Sequence, residues 1–212
     1  MLDLVLPLEC GGCGAPGTRW CDACATALRV GADDPHVITP RLDPGVPVFA
    51  LGRHAGTRRR AIVALKEHGR VDLLSPLAHA LAGGIHRLLA WGVLDEPLAL
   101  VPAPTRRIAA RRRGGDPVSR LCASAVRAHP EIVVTPALRL KRGTRDSVGL
   151  GSGDRQRNLA GRVHLDASKL ISRVDVLVVD DIVTTGATAC ESVRVLSTAG
   201  VRVAAVLALA HA

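Results

Sequence analysis

The sequence is poor in aromatic residues, with one Phe, two Trp and no Tyr in 212 residues. Proteins that bind single-stranded nucleic acid by stacking its bases need aromatic side chains, so this binding mode is disfavoured. The sequence also lacks an uninterrupted apolar run of about 18 residues, and we therefore expect no membrane insertion. Its beginning, MLDLVLPLECGGCG, has no basic stretch followed by a full apolar segment. This is not the form of a secretory signal, and we expect a cytoplasmic protein.

Lysine is also scarce, being limited to Lys66, Lys141 and Lys169, so arginine carries most of the positive charge. The formal net charge is +9. A basic surface favours polyanionic partners such as nucleic acids or phosphorylated small molecules. Hydrophobic residues make up 48% of the chain, which is enough to form a sizeable core.

Four of the six cysteines fall within the first 24 residues, in the stretch CGGCGAPGTRWCDAC. They form two C-x2-C pairs, each of which can direct two thiolates at one ion. Two such pairs predict a closed, structural zinc site, and the metal would give shape to a segment too short to bury a core. The alternatives are two redox-active C-x2-C motifs or simply free thiols. The predicted zinc ligands are Cys10, Cys13, Cys21 and Cys24.

The chain divides by composition into three parts. Residues 1–30 form the predicted zinc knuckle, residues 31–47 predict a linker or irregular connection, and residues 48–212 alternate strand-like and helix-like patterns. Such alternation predicts an α/β domain with a mostly parallel sheet flanked by helices. The expected strands are 48–54, 97–104, 174–179 and 201–210, and residues 132–140 contain further strand material. The expected helices are 57–69, 74–92, 115–129 and 187–199.

The clearest motif is VLVVDDIVTTGAT, in which an apolar strand ends in two aspartates. Parallel α/β sheets bind ligands at the carboxyl ends of their strands. The aspartates offer two anions there, whereas the threonines and Gly186 at the following helix start offer donors to an anion. A sugar phosphate satisfies both, because its hydroxyls donate to carboxylates and its phosphate accepts from the helix start. The alternative is an aspartate pair that merely caps a strand beside a threonine-rich helix start.

This motif resembles the phosphoribosyl pyrophosphate (PRPP) signature of type I phosphoribosyltransferases, and the resemblance implies the fold of that class. It further implies that Asp180 and Asp181 hold the ribose hydroxyls, while the residues from Thr184 to Thr188 hold the 5'-phosphate. The PRPP-binding residues implied in this way are Val179, Asp180, Asp181, Thr184, Thr185, Gly186, Ala187 and Thr188.

Three further segments resemble the ComF family, competence-associated proteins with a phosphoribosyltransferase fold and a four-cysteine knuckle. LVPAPTRRIAARRRGGD is similar to the family's PVP…RxxxRGFN stretch, with Ala103 in place of Val and Gly115-Asp116 in place of Phe-Asn. TRRRAIVALKEHG is similar to its IxxLKxxG stretch, with Lys66 as the matching lysine. TRDSVGLGSGDRQRNLAGRVHL is similar to its TxxQxxLxxxxRxxN stretch, with Ser147 in place of Gln.

The resemblance implies transfer of ribose 5-phosphate from PRPP with release of pyrophosphate, assisted by Mg2+. It implies catalytic roles for Asp180, Asp181 and Lys66, and contacts between an arginine run and the pyrophosphate. The arginines concerned are Arg107, Arg111, Arg112 and Arg113. Without the resemblance, the arginine run also fits a solvated helix face, and Lys66 also fits a surface lysine.

The alternative function is a non-catalytic accessory protein that senses PRPP or a nucleotide and binds single-stranded DNA during DNA uptake in natural transformation. Phosphate contacts from a basic surface can bind DNA without aromatic residues, in a strongly salt-dependent manner. The partners would then be single-stranded DNA and DNA-uptake proteins. The sequence identifies neither the acceptor of a transfer reaction nor the oligomeric state.

Overall fold

The computed structural model describes residues 8–104, 115–141, 161–170 and 174–212. These residues form five α-helices, eight strands and two short 3-10 helices, Val71–Leu73 and Ala167–Lys169. The α-helices are α1 (Asp22–Leu28), α2 (Gly56–Glu67), α3 (Leu74–Ala90), α4 (Pro117–Ala125) and α5 (Ala187–Thr198). The strands are β1 (His36–Val37), β2 (Val48–Ala50), β3 (Leu98–Pro102), β4 (Ile132–Val134), β5 (Leu138–Leu140), β6 (Val163–Leu165), β7 (Asp175–Val183) and β8 (Val203–His211).

Six of the described strands form one sheet in the order β1-β2-β8-β7-β3-β4. The pairings β2–β8, β8–β7, β7–β3 and β3–β4 are parallel, whereas the short edge strand β1 is antiparallel to β2. β5 and β6 pair separately as an antiparallel ribbon. The prediction of an α/β fold with a mostly parallel sheet flanked by helices is confirmed.

The side chains of β7 alternate between two hydrophobic clusters, one on each face of the sheet. Leu177 and Val179 join the cluster that contains the buried faces of α2, α3 and α4. Val176 and Val178 join the cluster that contains α5 and the β5–β6 ribbon. All four side chains are at most 2% exposed. A strand covered on both faces needs apolar residues at consecutive positions, which explains the run VLVV before the aspartates.

Three of the four predicted helices begin and end within two residues of their predicted bounds, whereas α4 ends four residues earlier than predicted, at Ala125. Ile62, Leu65 and Ala61, expected on the apolar face of α2, are buried there. α5 ends two residues before Gly200, whose φ of 77° is typical of the residue that terminates a helix. None of the described helices is both long and apolar enough to cross a membrane.

The predicted end of the last-but-one strand is wrong. The sequence pattern placed that end at residue 179, before the two acidic residues, but β7 continues through both aspartates to Val183. It does so because β8 remains paired with it as far as His211, so the backbone N–H and C=O groups beyond residue 179 still have partners on one side.

The N-terminal segment packs directly against the rest of the protein. Leu28 of α1 is 3% exposed and belongs to the main hydrophobic core, and Trp20 and Val30 pack against that core. α1 contacts both α2 and α3. Residues 31–47, which separate this segment from β2, supply the edge strand β1. The knuckle sequence therefore contributes apolar side chains to the same core as the sheet.

Candidate functional site

Asp180 and Asp181, the aspartate pair, lie at the carboxyl edge of the sheet, where β7 extends beyond its neighbour β3. The last register pair between these two strands joins Pro102 to Val179. β7 then continues in register with β8 as far as Val183. Consecutive strand residues point to opposite faces, so Asp181 lies on the same face as Val179, towards α2.

Lys66 contacts the aspartate pair from α2. Its Nζ lies 2.6 Å from Oδ2 of Asp181, and the two side chains are 29% and 10% exposed. A charge-assisted hydrogen bond of this length between partly desolvated groups is among the stronger polar contacts in proteins. Lys66 stands in the last turn of α2, where a cation also interacts favourably with the helix dipole. Asp180, Asp181 and Lys66, which the sequence analysis identified as candidate site residues, therefore lie together at one edge of the sheet.

Asp180 has a strongly perturbed acidity. The backbone N–H of Asp181 donates a hydrogen bond to Oδ1 of Asp180 at 2.8 Å. Burial, followed by the charge of Asp181, raises the pKa of Asp180 to about 8, although Lys66 opposes the shift. At neutral pH the aspartate pair therefore carries less than its full double charge. A protonated carboxyl group donates as well as accepts hydrogen bonds, and this suits a ligand hydroxyl.

Residues 184–188, the threonine loop, lead the chain from β7 into α5. Gly186 has a φ of 84°, in the left-handed region that favours glycine, and it caps the helix. The N–H of Ala187 donates to Oγ1 of Thr185 at 3.4 Å. The first N–H groups of a helix have no partner within the helix and can bind an anion placed before its start. The loop thus offers hydroxyl and N–H donors a few residues after the aspartate pair.

Residues 39–45 run across the threonine loop. The backbone N–H of Leu42 donates to the carbonyl oxygen of Thr185 at 2.9 Å. A Cβ added to Gly186 would stand 2.5 Å from the carbonyl oxygen of Leu42 and 2.9 Å from Cβ of Pro40. The sequence predicted that Gly186 helps the start of the helix to bind an anion. The space that a Cβ of residue 186 would need is taken by the backbone of Leu42. On that side, Gly186 therefore allows close approach by another part of the same chain and not by a ligand.

The four N-terminal cysteines form a compact cluster. Their Sγ atoms all lie within 4.8 Å of one another. The Sγ atoms of Cys10 and Cys21 are 3.7 Å apart, and those of Cys13 and Cys21 are 3.6 Å apart. Tetrahedral zinc with Zn–S bonds of about 2.3 Å separates its sulfur ligands by about 3.8 Å, so the cluster fits one such ion. Gly12 is required beside it, because a Cβ there would stand 2.5 Å from Sγ of Cys24.

The thiols of this cluster differ in acidity. Burial raises the pKa of Cys24 to about 12. Burial also acts to raise the pKa of Cys10, but hydrogen bonds from the backbone of Cys13, Gly12 and Cys21 lower it to about 6. Metal ligation requires thiolates, and a bound cation favours that form at every ligand. The prediction that two C-x2-C pairs bring four potential metal ligands together is confirmed.

The predicted pyrophosphate contacts fall outside the described residues. Arg107 and the run 111–113 lie within residues 105–114, and Ser147 lies within residues 142–160. The start of the arginine-rich segment is described, however. The backbone N–H of Ala103 donates to the carbonyl oxygen of Val179 at 2.7 Å, directly after β3 ends. The segment therefore leaves the sheet beside the aspartate pair.

His54 is a site residue that the sequence reasoning did not single out. Its backbone N–H donates to the carbonyl oxygen of His211 at 2.7 Å, at the same edge of the sheet. Its Nε2 is buried and has no hydrogen-bond partner among the residues that the structure describes. Burial and then the charge of Arg59 lower the pKa of His54, while Asp181 acts in the opposite direction. The sequence feature that could have identified His54 is its position at the end of the predicted strand 48–54.

A cavity of about 500 Å³ lies elsewhere, between the N-terminal segment and α3. Trp20, Leu28, Pro76 and His79 are among its lining residues. No lining residue belongs to β7 or to the threonine loop. This cavity is therefore separate from the aspartate pair, whose carboxylates lie at the sheet edge.

Comparison with known proteins assigns no family to the chain. No protein-family model matches it, and no curated protein gives a significant match. The four clustered cysteines and the mostly parallel α/β sheet are compatible with a zinc knuckle joined to a phosphoribosyltransferase-like fold. Its function must be inferred from the residues of the site.

Proposed function

We propose that the chain is a PRPP-binding phosphoribosyltransferase of the ComF type, which transfers ribose 5-phosphate from PRPP to an acceptor and releases pyrophosphate. One observation carries the proposal: β7 carries the aspartate pair close to its carboxyl end and leads directly through the threonine loop into α5. A ligand held there must offer hydroxyls to the carboxyl groups and an anion to the helix start. A ribose 5-phosphate unit carries both on one small ring.

Each part of the site has a role in this proposal. Asp180 and Asp181 bind the ribose hydroxyls, and the threonine loop donates hydrogen bonds to the 5'-phosphate. Lys66 and the arginine run contact the pyrophosphate. Mg2+, when bound with PRPP, would neutralise the pyrophosphate and orient the ribose. The bond between the anomeric carbon and the pyrophosphate oxygen breaks through an oxocarbenium-like transition state. Positioning and electrostatic stabilisation then supply the catalysis, and no covalent nucleophile is required.

The cysteine cluster supports a structural zinc ion as part of the same proposal. Four protein thiolates complete a tetrahedral shell and leave no position for substrate. The cluster belongs to the N-terminal segment, and the aspartate pair belongs to β7. Zinc therefore serves to hold the segment that delivers Leu28 to the core, and it takes no part in the transfer reaction.

A second function is also compatible with the net charge of +9. In this alternative the site binds PRPP or a nucleotide without consuming it, and the basic surface binds single-stranded DNA during DNA uptake. DNA binding through phosphate contacts alone weakens steeply as the salt concentration rises. A titration with single-stranded DNA at two salt concentrations and a pyrophosphate-release assay with candidate acceptors distinguish the two functions.

The proposal is tested by calorimetric titration of the zinc-loaded protein with PRPP, with and without Mg2+. We expect magnesium-dependent binding that is lost when Asp180 and Asp181 are both replaced by Asn. The control is Asp33→Asn, which changes an exposed aspartate outside the site. Circular dichroism and zinc content should be the same in all three proteins. Wild-type affinity in the double variant would show that the aspartate pair does not bind the ribose.

A further inference from the structure

His86 and His129 form a close pair of imidazoles that belongs to neither the aspartate pair nor the cysteine cluster. Their Nε2 atoms are 3.1 Å apart, and their ring centres are 4.6 Å apart with the ring planes at 87°. His86 lies on α3, and His129 lies in the turn between α4 and β4. Because this turn precedes β4, the histidine pair lies towards the amino-terminal edge of the sheet, opposite to the edge that carries the aspartate pair.

The backbone is held in place on both sides of the histidine pair. Ile85, next to His86 on α3, is 0% exposed. The N–H of His129 donates to the carbonyl oxygen of Val126 at 2.9 Å, and the carbonyl oxygen of His129 accepts from the N–H of Ile132 at 3.1 Å. α3 also packs directly against α4. Tertiary structure therefore brings the two rings together, as a preorganised ligand site requires.

The geometry of the histidine pair suits two ligands of one ion. Nitrogen ligands at about 2.0–2.1 Å from an ion lie about 3.3 Å apart at a tetrahedral angle and about 2.9 Å apart at a right angle, and the observed 3.1 Å falls between these values. At this separation, two rings that point at a common ion have centres about 4.8 Å apart, whereas two rings aligned along a straight N–H···N bond have centres about 5.4 Å apart. The observed 4.6 Å agrees with the convergent arrangement.

A mutual hydrogen bond contributes little stability to the histidine pair. His86 is exposed, so water competes for its nitrogen atoms and the net gain is small. The bond also requires one of the two rings to carry its proton on Nε2 and the other to leave Nε2 free as the acceptor. A metal ion accepts the Nε2 lone pairs of both rings at once. Imidazole nitrogen suits zinc, copper, iron and nickel, whereas Mg2+ and Ca2+ prefer oxygen ligands.

We propose that His86 and His129 bind a divalent transition-metal ion, such as Zn2+ or Ni2+, through their Nε2 atoms. The ion links α3 to the turn before β4. Within the part of the chain that the structure describes, no third histidine, cysteine or carboxylate joins this pair as a protein ligand. The two histidines leave the other coordination positions to water or exchangeable ligands, unlike the closed cysteine cluster. The inference does not depend on PRPP binding.

The test is calorimetric titration of the tag-free protein with Ni2+, after the cysteine cluster is loaded with zinc and excess zinc is removed. Elemental analysis distinguishes added nickel from this zinc. We expect one nickel and one zinc ion per chain, and a Tm raised by at least about 2 °C, because the ion binds only the folded state. His86→Ala and His129→Ala should each weaken nickel binding at least about tenfold and abolish the rise in Tm, because two rings that share one ion bind it far more tightly than one ring. His164→Ala is the matched control, since it removes an exposed histidine from β6.

Each outcome decides the proposal. If the wild type binds no nickel, or if both histidine variants bind it as tightly as the wild type, His86 and His129 form only a surface contact and the proposal is wrong. If nickel enters only as zinc leaves, it occupies the cysteine cluster, and the proposal is equally wrong. Nickel binding that is lost in both variants and retained in His164→Ala supports the site. Circular dichroism should show all three variants folded, since none of these histidines belongs to the buried core.

Discussion

The backbone N–H of Leu42 donates a hydrogen bond of 2.9 Å to the carbonyl oxygen of Thr185. This contact joins residues 39–45, which connect β1 to β2, to the threonine loop. It also places the carbonyl oxygen of Leu42 where a side chain of Gly186 would stand. The connection between β1 and β2 therefore forms one wall of the proposed phosphate site.

Gly186→Ala should be more destabilising than the same change at a helix end that is open to solvent. Gly186 has a φ of 84°, and its added Cβ would stand 2.5 Å from backbone oxygen. Gly200 has a φ of 77° with nothing within 4 Å of an added Cβ, so Gly200→Ala is the matched control. We expect a loss of about 1 kcal/mol in the control and of at least about 3 kcal/mol in Gly186→Ala, measured by urea denaturation. Equal losses would mean that Leu42 moves aside at little cost.

Asp180 should make the protein less stable as the pH rises. Its pKa increases from the ordinary 3.8 to about 8 on folding, so the folded state binds more protons between these values. This contribution to stability is complete below about pH 4 and is lost as the pH rises through about 8. Asp180→Asn stays neutral, and relative to wild type it should gain at least about 1 kcal/mol between pH 5 and pH 9. Urea denaturation at both pH values measures this gain, Asp33→Asn is the exposed control, and parallel pH curves for wild type and Asp180→Asn would contradict the assignment.

Local sequence patterns were sufficient to predict the strand–helix–strand order of the β7–α5–β8 unit, though not the end of β7, and to predict the cysteine cluster. The run VLVV is apolar at consecutive positions because both faces of a central parallel strand are covered. Gly200 marks the end of α5 because a left-handed residue terminates a helix at little cost when it is glycine. The C-x2-C spacing brings cysteines together through short loops. In each case the interacting groups are close in sequence.

Contacts between distant parts of the chain could not be derived in this way. The continuation of β7 to Val183 depends on pairing with β8, and these two strands are separated in sequence by α5. The contact of Leu42 with the threonine loop depends on how the chain crosses the sheet edge. The ion pair of Lys66 with Asp181 depends on the docking of α2. The resemblance of its segment to the IxxLKxxG stretch of the ComF family made Lys66 a candidate, but its partner follows from tertiary packing.

Arg70 should hold the N-terminal segment against the sheet domain. Its guanidinium donates to the backbone carbonyls of Glu9 and Arg19 and forms two hydrogen bonds with Asp72. Arg70→Ala should lower the free energy of unfolding by about 2 kcal/mol and speed zinc loss to a chelator, because all four contacts disappear. Arg202→Ala is the matched control, since its exposed side chain donates twice to one carboxylate, and it should cost under about 1 kcal/mol. If Arg70→Ala retains zinc as well as this control does, Arg70 does not secure the segment.

Loss of zinc should destabilise the whole protein, because the segment that the metal holds also carries Leu28 into the main core. Leu28 is 3% exposed, and α1 begins directly after Cys21. Cys13→Ser should reduce zinc from one ion per chain to a small fraction by elemental analysis, and it should lower Tm by at least about 5 °C. Cys190→Ser is the control, because Cys190 lies on α5 outside the cluster and should keep both zinc and Tm. A Cys13→Ser protein that loses zinc but unfolds at the wild-type temperature would mean that α1 stays packed through Leu28 alone. Full zinc content in Cys13→Ser would exclude a four-thiolate site.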